Sequence, residues 1–292
     1  MKTILITFLL VFSFLKLHPQ YKELDKLKVR LANAKEDSTR VMILNAFEDN
    51  YKFTFPDSGI YYGRQALSLA RKIQYSKREA RALYQLGVAN RTLGNSVKSL
   101  EFFFKSIQIS EKNNFVEINA WNLLQIGVFY YGAKRYSKAS TYFHQVVNSI
   151  YSPEIIIIKT VAFNQLALLQ LSLKNIDSAV YYAKLCLDNI EKYNIDLMRS
   201  RYLKTIGMIY FQTGEIETAL VYLKNSLHTS SLTQSESNLE NAKTNCDISK
   251  IYQKTHHPDS AIYYAERSLE IGKCGKFYSS IIESSKLLAE LF

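Results

Sequence analysis

The side chains able to carry chemistry are few in this 292-residue sequence, and their spacing gives them little to do together. Cys186, Cys246 and Cys274 are odd in number and form no CxxC pair, so neither a disulfide framework nor a zinc signature is present. His256 and His257 are adjacent, but no third ligand follows at a metal-binding interval. His144 and His228 stand alone and read as polar surface positions. Glu48-Asp49 reads as a solvated acidic face. The phosphate-cradling G-x-x-x-x-G-K-[ST], the dinucleotide G-x-G-x-x-G, the zinc H-E-x-x-H and the nucleophile-bearing G-x-S-x-G are all missing. Acid–base or nucleophilic catalysis needs partners within hydrogen-bond reach, and no such set is visible. The expectation is a non-enzymatic chain with no catalytic, cofactor-binding or metal-binding residue.

Charge narrows the partners. Lys and Arg number 37 against 26 acidic residues, a formal +11. Such a surface attracts acidic partners or nucleic acid. No run of five or more Lys/Arg occurs, whereas nucleic-acid readers cluster their basic residues in a stripe. A nucleic-acid partner is therefore not expected. With 47% hydrophobic residues and only 10 Gly and 4 Pro, the chain has a large core and no need of long irregular loops.

The elements that position these residues repeat. Gly87, Gly127, Ala167 and Gly207 stand 40 residues apart. The phase runs back to Phe47 and, past a two-residue insertion, forward to Ser249 and Ala289. A fixed period of this size marks stacked supersecondary units rather than one globular core. Within 80–112, Leu83, Leu86 and Asn90 share one helical face, and Gly94-Asn95 breaks the chain. Val97, Leu100, Phe103, Phe104 and Ile107 then mark a second helix. The unit is a helical hairpin that must stack on its neighbours to bury either face.

A second device recurs. Asp57-Ser58-Gly59-Ile60-Tyr61-Tyr62-Gly63 is echoed by Asp177-Ser178-Ala179-Val180-Tyr181-Tyr182-Ala183. It returns as Asp259-Ser260-Ala261-Ile262-Tyr263-Tyr264-Ala265. Asp is expected to cap the second helix, stabilising it by about 1 kcal/mol. Pro56 and Pro258 are expected to end the preceding segment. One Tyr of each pair is expected to pack inward and to leave its hydroxyl in water.

These features resemble tetratricopeptide (TPR) repeats, which carry a small residue midway along helix A and another early in helix B. The first site holds Gly87, Gly127, Ala167 and Gly207; the second holds Gly59, Ser99, Ala139, Ala179, Ala219 and Ala261. Apolar Leu86, Ile126, Leu166, Ile206, Ile248 and Leu288 precede the first site. Tyr130, Tyr210, Tyr252 and Phe292 follow it by three residues, and Leu67, Ile107, Val147, Leu187, Leu227 and Leu269 close helix B. The resemblance implies an all-α α-α superhelix of about six hairpins plus a partial one. A usual TPR unit has about 34 residues, so these helices are long, as in exported bacterial sensor and regulator proteins. The units are placed at about 40–79, 80–119, 120–159, 160–199, 200–241 and 242–281, with a partial one at 282–292. A capping helix is expected at 21–36, amphipathic on Leu24, Leu27 and Leu31.

In the resembled family, helix A lines a concave groove. Its implied lining includes Arg81, Tyr84 and Arg91, then Trp121, Leu124 and Tyr131, then Asn164, Arg201, Lys204, Lys243 and Lys250. That groove has an apolar, aromatic middle and basic flanks. It suits a protein or peptide with apolar anchors and acidic flanks, with the sole tryptophan, Trp121, as anchor. The two-carboxylate clamp of chaperone-docking TPRs is not implied, because Tyr84/Val88 and Lys204/Met208 occupy its places.

The first 20 residues, MKTILITFLLVFSFLKLHPQ, pair Lys2 with an apolar stretch from Ile4 to Leu15. Twelve helical residues span about 18 Å, too short for a bilayer core of about 30 Å. Residues 1–20 are read as a secretory signal, although no A-x-A site follows. No later apolar stretch is expected to reach membrane-spanning length; Ile155 to Ile158 is read as the buried start of a helix. The expected location is the periplasm or cell envelope, or the cytoplasm if 1–20 is not a signal. The last helix reads SSKLLAELF with no following helix B, which would allow self-association through that end. Two further readings stand beside an exported scaffold. One is the sensor portion of a histidine-kinase or DNA-binding regulator whose membrane helix and effector domain lie elsewhere. The other is a cytosolic peptide receptor or accessory subunit.

Overall fold

The computed structural model describes residues 19–51, 55–149, 152–195, 199–232, 237–275 and 277–291. Phe292 and all but the last two residues of the candidate signal lie outside them. Among the described residues there are fourteen α-helices and no strand. A single helix, α1 (Pro19–Asn33), precedes six hairpins. These are α2/α3 (Ser38–Tyr51, Pro56–Lys72), α4/α5 (Ser76–Thr92, Ser96–Lys112) and α6/α7 (Val116–Gly132, Tyr136–Val147). They continue as α8/α9 (Pro153–Ser172, Ile176–Lys192), α10/α11 (Arg199–Thr213, Ile216–Leu232) and α12/α13 (Ser237–Lys254, Pro258–Gly275). The lone α14 (Tyr278–Leu291) is the last element described. Each hairpin starts ahead of the boundary expected from the period, by as little as Arg199 against 200 and as much as Pro153 against 160.

The chain forms two compact units, residues 1–129 and 130–292, divided inside α6. In the first, α1 packs on α2, each hairpin closes on itself, and α3 packs on α4 while α2 also reaches α4. Leu24 and Leu27 of α1 bury against Ile43 and Phe47 of α2. Arg40 Nη1 donates to the Leu31 and Ala34 carbonyls, both at 3.0 Å, and so satisfies the open C-terminal end of α1. In the second unit the same scheme runs from α8 to α14: α8 touches α10, α10 touches α12 and α12 touches α14. The final helix α14 leaves Tyr278 and Ile282 exposed.

The turns set the spacing of the hairpins. A residue in the left-handed region stands at Gln74, Gly94, Asn114, Lys134, Lys174, Asn194, Gly214 and His256. The first four are 20 residues apart, so the hairpin period divides into two equal halves. At each turn the following N–H reaches five residues back, as in Tyr75 to Ala70 (2.8 Å) and Arg135 to Tyr130 (2.9 Å). The left-handed residue itself donates three back, as in Lys134 to Tyr131 (2.9 Å). Together these are Schellman closures, which satisfy carbonyls that a helix end would leave open.

A cross-helix bond recurs as well. Ser106, Ser226 and Ser268 on second helices donate to the Ala80, Ser200 and Ala242 carbonyls at 2.7, 2.7 and 2.8 Å. Each satisfies a buried hydroxyl while pinning helix B to the start of its own helix A.

Glu48 is fully buried on α2, so Glu48-Asp49 is not the solvated acidic face expected, and three further expectations need correction. Asp57, Asp177 and Asp259 do not cap; they lie inside the first turns of α3, α9 and α13, and the cap positions of α3 and α9 are Phe55 and Asn175. Their benefit is charge against the helix dipole, about 0.3–1 kcal/mol each. Pro56 and Pro258 open their helices rather than end the preceding segment, because proline at the first helical position removes an N–H that has no partner there. The third correction concerns Ile155–Ser172, which with a mean hydropathy of 1.5 over 18 residues is long and apolar enough to cross a membrane. Half of that stretch is buried inside the second unit, with Ile155, Ile158, Ala162, Leu166 and Leu169 fully so.

The paired tyrosines behave as expected. Tyr62, Tyr182 and Tyr264 pack inward, while Tyr61, Tyr181 and Tyr263 stand exposed and meet them edge-on at 5.2, 5.2 and 5.1 Å. The cysteines divide by burial. Cys186 and Cys246 are buried, and burial drives both thiols upward, Cys246 to about 11, whereas Cys274 is exposed. A thiol disulfide reagent at pH 8 is expected to modify one cysteine rapidly in the native chain and all three after unfolding. Rapid native reaction of two or more would contradict this packing.

Candidate binding surface

The first unit assembles a polar and aromatic cluster on three successive first helices. Tyr84, at mid-helix on α4, is its hub. Gln125 of α6, Asp49 of α2, and Arg81 and Arg91 of α4 all act on the Tyr84 phenol electrostatically. Burial first, and the Asp49 charge second, push the phenol up to about 12, so it stays protonated as a hydrogen-bond donor at neutral pH. Arg81 Nη2 pairs with Asp49 Oδ2 at 3.3 Å. The Trp121 ring lies 6.4 Å from the Tyr84 ring at 41°, and the Phe103 ring lies 6.1 Å from it. Arg91 is two turns beyond Tyr84, and long helical side chains lean toward the N-terminus. That direction brings its guanidinium toward the phenol. Burial lowers the Arg91 pKa, with the nearby phenol opposing, and the group remains a cation.

Four residues expected in the groove, Arg81, Tyr84, Arg91 and Trp121, are thus drawn together. Leu124 is not presented with them: it is 1% exposed and belongs to the core. Its helical phase matches Tyr84, but as an aliphatic side chain it gains more from packing than from water.

In the second unit, Tyr131 shares a hydrogen bond with Ser172 Oγ at 2.8 Å and packs its ring on Tyr136 at 5.8 Å. Asn164 is 2% exposed and buried rather than presented, with no partner for Nδ2. The four basic residues gather, but not as a basic flank. Arg201, Lys204 and Lys243 surround Glu240 at 3.8, 3.6 and 3.8 Å. Lys204 also reaches Asp247 at 3.4 Å, and Lys250 pairs with Glu283 of α14. Four cations face three carboxylates, so the expected basic flank is close to neutral here. Glu240 precedes Lys243 by three residues and Asp247 follows it by four, so both share its face. Glu283 lies one 40-residue step beyond Lys243, in the row but one unit further than it had been followed.

Among the described residues no three His, Cys, Asp or Glu side chains are grouped to hold a metal ion. His256 adopts the left-handed turn conformation and His257 Nδ1 lies 3.2 Å from Thr255 Oγ1, so the pair serves the α12–α13 turn.

No protein-family model and no curated protein matches the sequence. Solved structures do match. A tetratricopeptide repeat protein from Parabacteroides merdae is 16% identical, with 91% of this chain and 96% of that chain covered at a TM-score of 0.56. The fold is that of a tetratricopeptide repeat protein. The apo form of the quorum sensor NprR from B. thuringiensis is 12% identical, with 93% of this chain and 80% of that chain covered at a TM-score of 0.60. A Rap protein complexed with Competence and Sporulation Factor is 14% identical, with 81% and 65% covered at a TM-score of 0.62. These likenesses concern the TPR fold alone.

Proposed function

We propose that this TPR protein is a non-catalytic scaffold that docks a protein or peptide on the first-helix face of its first unit. The observation carrying this reading is the cluster of Tyr84, Trp121 and Arg91, which joins a tilted aromatic pair to a half-buried cation. Tryptophan, tyrosine and arginine are the side chains that most often dominate interface energies. Support of a coarser kind comes from the similar folds of a quorum sensor and of a Rap protein solved with a bound factor.

Trp121→Ala is expected to weaken peptides selected from a displayed random library by more than about 1 kcal/mol, at least fivefold, with unchanged helicity. Titration of wild type and variant, with circular dichroism alongside, measures this. Equal affinities, or a library that yields no binder, would overturn the reading.

The same fold similarities favour a sensor role as the second reading, in which the scaffold reports ligand to an effector domain. Export to the periplasm or envelope through residues 1–20 is part of the proposal. It rests on Lys2 and the apolar stretch Ile4 to Leu15. Fusing residues 1–30 to a reporter active only after export tests it; a reporter retained in the cytosol would leave the cytosolic receptor reading.

A further inference from the structure

First helices turn one face toward their own second helix, and on α14 that face is open. Phe103 and Leu223 of second helices fill the space over Gly87 and Gly207. Ser249 Oγ donates to the Ala261 carbonyl of α13 at 2.6 Å. Two turns earlier on the same face, the Ala80, Ser200 and Ala242 carbonyls accept the second-helix serine bonds. At the equivalent place Asn189 Nδ2 donates to Thr160 Oγ1 at 3.1 Å. The same steps of the repeat lead to Ala289 and Ile282 on α14. There Ala289 is exposed, Ile282 is 70% exposed, and Tyr278, one turn before it, is 73% exposed. Exposed Ser285 completes the strip, which points away from buried Ser280, Ser284 and Leu287. Among the described residues no second helix covers it.

The strip departs from the pattern that receives a second helix. Ala80, Ala120, Thr160 and Ala242 are buried, and their small or hydroxylic side chains let helix B come close enough to bond. Ile282 puts a larger, wholly apolar side chain where that approach is made, and would hold such a helix off. Its sizes fit a second copy instead. Tyr278, Ile282, Ser285 and Ala289 follow one another at steps of four, three and four, the spacing of a helix–helix seam. In an antiparallel pair centred between Glu283 and Ser284, Tyr278 falls opposite Ala289 of the second copy and Ile282 opposite its Ser285. Each layer sets a large side chain against a small one, as Phe103 and Gly87 do, and the two-fold axis repeats both layers. A parallel pair would crowd tyrosine on tyrosine and leave a gap between alanines. The three charges of α14 are already matched, Glu283 by Lys250 and Lys286 by Glu290 at 3.9 Å, so an approaching copy meets no unpaired charge.

We infer that this strip of α14 is a self-association surface, on which a second copy of the chain docks its own α14 antiparallel to give a two-fold dimer. Burial of Tyr278 and Ile282 on both copies drives the association. The surface belongs to the second unit and is independent of the docking role proposed for the first. One helix per copy buries less than the roughly 1,200–2,000 Å² of stable complexes, so the dimer depends on concentration.

Sedimentation equilibrium of the full chain is expected to show the average mass rising toward twice that of the monomer as concentration increases to about 200 µM, the range of a small interface. Ile282→Asp is expected to keep the chain monomeric over the same range with wild-type circular dichroism, because the side chain it replaces is mostly in water. A cross-link reads the register. Tyr278→Cys and Ala289→Cys chains, each also carrying Cys274→Ser, are mixed under mild oxidation. They are expected to form a disulfide-linked dimer with each other and not with themselves. Like positions lie about 16 Å apart along an antiparallel pair, beyond the roughly 7 Å between Cα atoms that a disulfide spans. A chain that stays monomeric at every concentration would overturn the inference. So would a dimer that survives Ile282→Asp, or either cysteine variant linking to itself as readily as to the other.

Discussion

Phe103→Ala is expected to cost about 3–5 kcal/mol of the stability of the first unit, the loss typical of a fully buried aromatic truncated to a methyl group. Phe103 is fully buried on α5, and its ring fills the space opposite Gly87 of α4. A Cβ built on Gly87 would lie 2.5 Å from the ring, so glycine and phenylalanine form one complementary pair. The pair recurs sixteen residues apart with sizes traded. Gly207 faces Leu223, whose Cγ would lie 2.7 Å from an added Cβ, whereas Ala167 and Ala183 meet in one core cluster. The absence of a side chain on helix A is therefore used to admit a large one from helix B. Gly87→Ala alone is expected to cost about 1–3 kcal/mol through overpacking. The Gly87→Ala/Phe103→Ala double variant reproduces the Ala167/Ala183 pair and is expected to be at least about 1 kcal/mol more stable than the two single costs predict. Urea unfolding followed by circular dichroism gives all three values, read from the first transition because a repeat array need not unfold in one step. Strict additivity would mean that the two positions do not share one space.

The repeat, the hairpins and the small-residue sites were legible because they depend on side-chain size at a fixed interval. Ser99, Ala139, Ala179, Ala219 and Ala261 are all buried where the period puts them. The turns were only half legible. Gly94-Asn95 announces itself, but the same left-handed closure is built on Lys134, Lys174 and Gln74, residue types that carry no turn signal. There the Schellman bonds impose the conformation, and the side chain tolerates it. The serine bonds of Ser106, Ser226 and Ser268 were hidden for another reason. Serine is ordinary in a helix, and only its partner carbonyl, 26 residues earlier, shows its use.

The candidate surface was legible as a row of positions but not as charge. Helical phase puts Arg81, Tyr84, Arg91 and Trp121 at partly exposed positions, because those side chains are too polar or too large to vanish into the core. It failed for Leu124 and Asn164, which share the phase and are buried. It also missed Asp49, Gln125, Glu240 and Asp247, which lie just off the row and reach it through their own side-chain length. Electrostatics is a property of neighbours across helices, and the count of lysines along one helix could not reveal that Glu240 and Asp247 neutralise them.

Lys204 is where that difference has its largest consequence. Its ammonium lies between Glu240 and Asp247 at 3.6 and 3.4 Å, and all three side chains are less than a fifth exposed. Burial raises the Asp247 carboxyl above its ordinary value of 3.8, while Lys204 and Lys250 pull it back down. An acid whose folded pKa is raised binds its proton more tightly in the folded state. Its ionisation therefore works against the fold, so the stability it contributes is full below about 3.8 and is lost as pH rises through the folded value. Removing Lys204 deletes the strongest interaction that opposes burial and widens that window. Lys204→Met is expected to destabilise the second unit by about 2–4 kcal/mol at pH 7, because it leaves a buried carboxylate with less compensation. The deficit relative to wild type is expected to shrink as pH falls and Asp247 takes up its proton. Asp247→Asn should cost far less at pH 7, within about 1 kcal/mol, because Lys204 keeps Glu240 as its partner. Urea midpoints at pH 5, 6 and 7 decide the matter. A Lys204→Met deficit that does not change with pH would show that the lysine acts through the packing of its aliphatic stem, and equal costs for the two variants would mean that the charges are matched only pairwise.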